Sequence, residues 1–175
     1  MMDIVSTVKA LLETTPVRWQ SLVAVLPENL LKRQPAAGEW SALECLEHLI
    51  DFDRNAVPPR FQAFFTGAAF PAFSPATATI SFTADVSSEY LAQQFDALRR
   101  ENLRLLDQIT ASDLEREAVH PQLGLVTLSQ MLHQWGGHDL MHLRQAEQAL
   151  MQPFIEGCGV WQVFFQQHLV QPNKT

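Results

Sequence analysis

This chain of 175 residues predicts an all-α fold, a helical bundle with one short hairpin and an additional C-terminal helix. Three observations lead there. Apolar residues recur at three- and four-residue spacing along most of the chain. Ser, Thr and Pro stand where helices would start, and β-forming residues flank a turn in only one short stretch. Hydrophobic residues make up 47% of the sequence, enough for a single buried core, and residues 1–175 read as one domain.

The elements follow in order. An amphipathic stretch from Asp3 to Glu13 runs into Thr15-Pro16, an N-cap and a first-position proline for a further helix to Leu26. Pro27 ends that helix. After a linker to Glu39, Ser41 caps a helix with Glu44 at the capping-box position. This helix carries His48 and extends to about Phe65, with Pro58 and Pro59 expected to kink or divide it. Residues 67–87 lack helical periodicity, and so long a connection is expected to cover something, as a lid. Ser87 or Ser88 starts a helix to about Ile109, and AVHPQLGLVTL (118–128) supplies the hairpin. Thr127 or Ser129 caps a helix to about Met151, and VWQVFFQQHL (160–169), past Pro153, forms the last helix.

Composition excludes several roles. The formal charge is −7 and the sequence has no Lys/Arg cluster, so it offers no footprint for a phosphate backbone and nucleic acid is not an expected partner. No apolar run reaches the roughly 20 residues of a membrane span, and MMDIVSTVKALLETTP lacks the charged and apolar regions of a cleavable leader. Cys45 and Cys158 do not form a Cys-x-x-Cys pair, and two cysteines suit a reducing compartment. The expectation is a cytoplasmic protein acting on a small molecule, with no membrane partner.

The chemistry lies in the histidines. At about 100° per residue, His142 falls about 40° from His138 and Gln145 about −20°, so the three share a helix face, whereas His133 falls near 220° and points away. Met131, Trp135, Leu143 and Ala146 occupy the sector from about 20° to 140°, which puts His142 inside the buried stripe and His138 at its edge. On the preceding helix, His48 sits at the edge of a stripe containing Cys45, Leu49 and Phe52. Helices placed side by side would join these edges, with the His pair at i and i+4 chelating a metal from one side. Equally, each imidazole could be an ordinary core residue. Asp139 falls in the apolar sector, where an unpaired carboxylate is costly. It either orients a ligand imidazole or forms a salt bridge with an arginine such as Arg18, Arg54 or Arg104.

Three stretches, GEWSALECLEHLIDFD (38–53), HPQLGLVTLSQML (120–132) and WGGHDLMHLRQAEQAL (135–150), resemble the DinB-like (damage-inducible) superfamily in order and separation. The trailing HDxxHxxQ is the most specific part. The resemblance implies a four-helix bundle of unusual connectivity, with His48, His138 and His142 binding one divalent metal ion. It also implies a homodimer, which would bury the apolar C-terminal segment and outward residues such as Leu140. Relatives in this superfamily include bacillithiol S-transferases and a mycothiol-dependent maleylpyruvate isomerase, so a low-molecular-weight thiol is an implied cofactor.

Three imidazoles with an open position describe a catalytic rather than a closed metal site. Zinc or nickel fits best, although imidazole nitrogen also suits copper and iron. Such a centre lowers the pKa of bound water to about 7 or ionises a bound thiol. The expected chemistry is that of a metal-dependent transferase or hydrolase. The alternative is a non-catalytic metal- or ligand-binding bundle with a stress-response role; a DNA-damage effector is disfavoured by the acidic charge. No arginine cluster assignable to a thiol cofactor's carboxylates is visible. Gln134 and Gln145 are candidates to touch substrate or the metal's water, against ordinary polar filling at a helix edge. Asp51 and Glu44 could orient His48 or act as a base, against being solvated helix charges. Cys45 could be a fourth ligand but more often behaves as a small hydrophobe. His120 reads as structural or exposed, His168 has no evident partner, and Trp40 reads as core.

Overall fold

The computed structural model describes residues 3–71 and 86–171. Most of the expected 67–87 lid lies outside them. Among the described residues, six α-helices, α1 (Ile4–Val25), α2 (Glu28–Leu31), α3 (Ala42–Asn55), α4 (Val57–Thr66), α5 (Ser88–Leu103) and α6 (Leu128–Gly157), accompany one antiparallel hairpin of β1 (Glu117–His120) and β2 (Gly124–Thr127). The long helices α1, α3, α5 and α6 form a four-helix bundle. In it α1 and α3 each pack on both α5 and α6, so two core helices that are consecutive in the chain lie across a diagonal.

Local signals explain most boundaries. Ser41 Oγ accepts from the Glu44 N–H and the Glu44 carboxylate accepts from the Ser41 N–H, so the expected capping box starts α3. Thr127 and Gln130 make the same reciprocal pair at α6, and Ser87 caps α5. Pro58 and Pro59 divide the expected 41–65 helix at Ala56, and Gly67 closes α4 at φ +73. In the hairpin, Gly124 supplies the positive φ of +77 at the turn.

Three expectations are corrected. Thr15-Pro16 starts no helix: α1 runs through Pro16 unbroken. Pro16 cannot donate to the Leu12 carbonyl, but Thr15 Oγ1 donates to it at 3.1 Å and Arg99 Nη1 at 3.3 Å. α6 passes Met151 and Pro153 and ends at Gly157, because Ile155 beyond the proline is buried in the core. The VWQVFFQQHL helix is replaced by two 3-10 turns, Gly159–Phe164 and Gln166–His168. Gly159 there takes a φ of +57, and no buried stripe holds the segment as a helix.

A polar layer divides the bundle core. Arg99 on α5 is 1% exposed and donates to both Asp53 carboxylate oxygens on α3, at 2.7 and 3.1 Å, and to both Asp139 oxygens on α6, at 2.6 and 3.0 Å. Its contacts to Leu12 and Thr15 add α1, and the single Thr15 hydroxyl proton is shared between the Leu12 carbonyl and Asp139 Oδ2, 3.1 and 2.7 Å from Oγ1. Below the layer lie Leu12, Phe52, Leu103 and Trp135; above it lie Trp19, Leu49, Phe95 and Leu143. Arg99 stacks on Phe95 and Trp135 at 4.7 and 5.5 Å. Asn102 completes the layer by donating to the Asp53 carbonyl at 2.7 Å. At Gly136 a Cβ would sit 3.1 Å from Leu11 Cδ2, so the missing side chain lets α1 approach α6.

Replacing Arg99 with Met strands two buried carboxylates, and the expected loss is about 3–5 kcal/mol of unfolding free energy. Arg100→Ala, at a side chain 72% exposed, is expected to cost no more than about 1 kcal/mol. Urea denaturation of both variants checks the contrast.

Candidate metal centre

The adjacent edges of α3 and α6 bring His48, His138 and His142 together. One ligand-capable atom from each lies within 4.8 Å of the others. Ring centroids are 5.1 Å apart for His48 and His138, 4.5 Å for His48 and His142, and 4.6 Å for His138 and His142. Among the described residues no carboxylate or thiol joins this cluster. His48 and His142 are buried and His138 is half-buried.

The donor set fits a divalent cation. Two imidazole nitrogens held at about 2.0–2.1 Å by one tetrahedral ion lie about 3.3 Å apart, and His48 Nε2 and His138 Nε2 are separated by 3.1 Å. His138 Nδ1 is buried with no hydrogen-bond partner among the described residues. His142 Nδ1 donates to Gln145 Oε1 at 2.9 Å, which fixes the proton on Nδ1 and leaves the Nε2 lone pair available.

The environment keeps the rings uncharged. Burial pushes His48 down to about 4, aided by repulsion from His142 and opposed by Asp51. Burial pushes His138 down to about 2, with His142, His48, Arg60 and Arg99 adding repulsion. His142 is also lowered, burial outweighing its hydrogen bond to Gln145 and the attraction of Asp139. Neutral imidazole is the form that ligates a metal. The desolvation has a visible source: Trp40 stacks on His142 at 5.7 Å and lies 5.0 Å from His48, while Phe52 stacks on His138 at 4.1 Å. Trp40, read from sequence as core, forms a wall of the cluster.

The remaining candidates separate. Asp139 is the structural salt bridge of the two readings, but its partner is Arg99; Arg18 pairs with Glu147, and Arg54 donates to Gln94. Asp51 accepts from Asn55 at 2.6 Å, and Glu44 serves the α3 cap and Gln34. Cys45 is fully buried and burial pushes its thiol up to about 12, the signature of an inert core thiol. His133 faces away, its Nδ1 2.8 Å from the Ser129 carbonyl. The His168 carbonyl accepts from Gln152 Nε2 at 3.0 Å. Gln134 lines a cavity of about 660 Å³ that reaches His48 and His138. His120 and Arg60, one read as structural and the other unremarked, also line this cavity. Their sequence signals were slight: His120 opens the HPQLG turn of a stretch that carries the family resemblance, and Arg60 follows a proline pair.

The sequence model of the DinB superfamily matches residues 11–146. None of the curated proteins compared matches the chain. Among solved structures, YfiT from Bacillus subtilis superposes with a TM-score of 0.74 at 19% identity, covering 86% of this chain and 87% of that one. That protein is described as a probable metal-dependent hydrolase with an unusual four-helix bundle topology.

The low basicity of His48 carries a sign. In the metal-free protein the unfolded chain protonates this ring near 6.5 and the folded chain only near 4. The unfolded state therefore binds more protons in that window, and stability falls as pH drops through it. His48→Gln lacks this contribution, so its stability relative to wild type is expected to improve between pH about 7 and 4.5. Denaturant titrations of metal-free protein across this range check it; a constant difference would contradict it.

Proposed function

The chain belongs to the DinB superfamily, and from that premise we propose that His48, His138 and His142 bind one divalent metal ion in a hydrolase-type enzyme acting on a small molecule. One observation carries the reading. Three uncharged imidazoles converge where a cavity of about 660 Å³ reaches the bundle core, a volume within the roughly 300–1,000 Å³ of small-molecule sites. When bound, such an ion supplies Lewis acidity and lowers the pKa of a ligated water or thiol. Zinc or nickel is the expected ion, and the all-imidazole donor set suits either.

The chain's own residues prepare the site. Gln145 Oε1 holds the His142 proton at Nδ1 and sets the angle of the ring. Trp40 and Phe52 cover the imidazole faces and exclude water. Gln130 and Gln134 on α6 offer amide hydrogen bonds along the cavity. Hydrolysis is preferred to thiol transfer because the cavity's described lining has one arginine, too few for a multiply charged thiol cofactor, and because of the description carried by the similar YfiT structure.

Two further parts of the reading concern assembly and place. Phe154, Trp161 and Phe164 are 66%, 63% and 68% exposed, and a homodimer would cover them. No helix among the described residues is long and apolar enough to cross a membrane, and the free Cys45 and Cys158 suit a cytoplasmic setting.

Elemental analysis of protein purified without a metal-affinity tag is expected to find about one metal per chain. The double variant His138→Ala, His142→Ala should lose it; equal metal in both sinks the proposal. Gln145→Leu is expected to weaken metal affinity about 10- to 100-fold while leaving the fold intact, measured by competition with a chromogenic chelator. A panel of esters and amides, run beside thiol consumption with electrophiles, separates hydrolysis from transfer; metal-dependent thiol loss alone would reverse our preference.

A further inference from the structure

The hairpin beside the imidazole cluster carries a histidine whose hydrogen bonds settle its tautomer. His120 Nδ1 accepts from the backbone N–H of Gln122 at 3.2 Å and of Leu123 at 3.3 Å. With Nδ1 committed as an acceptor, the proton of the neutral ring resides on Nε2, which is a donor. Burial first, and then the charge of Arg60, hold His120 below its ordinary basicity, so the ring is neutral at pH 7. It packs edge-on against Phe70 at 5.7 Å, and the Phe70 N–H donates to the neighbouring Val119 carbonyl at 2.9 Å. The donor is therefore held on a wall built from two separate segments of the chain.

That wall belongs to the cavity of about 660 Å³ that also reaches His48 and His138. A second polar group on it is committed in the same sense. Gln130 Oε1 accepts from the Thr127 N–H at 2.9 Å in the cap of α6, which leaves the amide Nε2 as the end able to meet a ligand, again a donor. Gln134 follows one turn later and His138 one turn after that, so α6 lays a polar ridge from the hairpin to the cluster.

The guanidinium on the described lining does not set the charge of the ligand. Arg60 is engaged within the chain, its contacts including the faces of Phe52 and Phe70 at 5.4 and 5.7 Å. Phe52, Phe70, Val126 and Met131 make much of the remaining wall apolar. Recognition is thus left to uncharged N–H donors on an apolar surface. Such donors match an uncharged acceptor. A carbonyl oxygen gives up little hydration on entering, whereas a carboxylate loses far more than a neutral N–H returns.

We infer that this cavity takes uncharged carbonyl compounds with an apolar body, one carbonyl oxygen accepting from His120 Nε2–H at the hairpin end. The inference deepens the proposed hydrolase-type reading and rests on it for what happens at the imidazole end. There an ester or amide group of the same molecule meets the cluster, while the carbonyl on His120 stays outside the reaction and decides which end enters first. The substrate class is then a neutral ester or amide bearing a second carbonyl, with His120 as the residue that determines specificity for it.

The probe is 4-phenyl-2-butanone, which has one carbonyl, no charge and no bond to hydrolyse. It is titrated beside its anionic counterpart 3-phenylpropanoate into metal-free and zinc-loaded protein, followed by calorimetry and by the histidine ring resonances. In metal-free protein the ketone is expected to bind at least about fivefold tighter than the carboxylate and to move the His120 Nε2–H resonance. His120→Phe should weaken the ketone by about fivefold. His120→Gln keeps one acceptor for the turn and one donor for the ligand, so it should recover part of that loss and guards against a damaged hairpin in the first variant. A carboxylate bound as tightly as the ketone, an unchanged ketone affinity in His120→Phe, or a His120 resonance that does not move in the wild-type protein overturns the inference. Ketone binding seen only with zinc loaded also overturns it, since the carbonyl would then be held by the ion. Failure of the metal proposal is read separately, from the elemental analysis, because the metal-free titration does not depend on it.

Discussion

Everything in the bundle turns on the buried guanidinium of Arg99. It joins Asp53 on α3, Asp139 on α6 and the Leu12–Thr15 turn of α1 to α5, so one side chain touches all four core helices. Isolated, any of these charges would be expensive to bury. Together they satisfy each other: the Arg99 fork meets both oxygens of each carboxylate, Thr15 adds a hydroxyl, and Asn102 holds the Asp53 backbone. Burial still pushes the Asp53 carboxyl up to about 6 against the pull of Arg99, as expected where two carboxylates share one cation. A hydrophobic core tolerates rotation and sliding of its helices. A fully bonded polar layer does not, because a small shift would strand a charge.

The histidine cluster inherits its geometry from that layer. Asp139 lies between His138 and His142 on α6, and Asp53 follows His48 by five residues on α3. Once Asp139 is held on Arg99, the rotation of α6 about its axis is set, and His138 and His142 are turned toward α3. The same constraint through Asp53 sets His48. The carboxylate thus positions the imidazoles through the helix axis, without touching them. Finer orientation comes from Gln145, one turn beyond His142.

Desolvation then gives the cluster its chemical character. Trp40, Phe52 and the packed helices keep water from the rings, and burial depresses the basicity of all three imidazoles. Acid-base chemistry by a free imidazolium is therefore suppressed, while the neutral lone pairs that a metal requires are favoured. The cavity extends this pattern outward: its wall is apolar, with donors supplied by Arg60 on α4, His120 on β1 and glutamines on α6. The hairpin is tied to the chain after α4, where the Phe70 N–H donates to the Val119 carbonyl at 2.9 Å, so these elements form one wall.

Periodicity and capping by themselves determined that the chain is helical, where α3, α5 and α6 begin, that Pro58 and Pro59 divide a helix, and which of His133, His138 and His142 share a face. These are local properties, set by the spacing of side chains about one axis. Tertiary structure decided what depends on two axes at once. Pro16 reads as a helix start until Arg99 and Thr15 serve the Leu12 carbonyl, and Pro153 reads as a stop until Ile155 is seen to be buried. Asp139 announces that it needs a partner but not which arginine, since the angles of α5 and α6 about their own axes carry no information on each other. Likewise the sequence places His48 at a core edge and, through its family resemblance, pairs it with the α6 histidines. The 3.1 Å approach of His48 Nε2 to His138 Nε2 depends on how α3 and α6 sit against each other, which the pattern of neither helix alone carries.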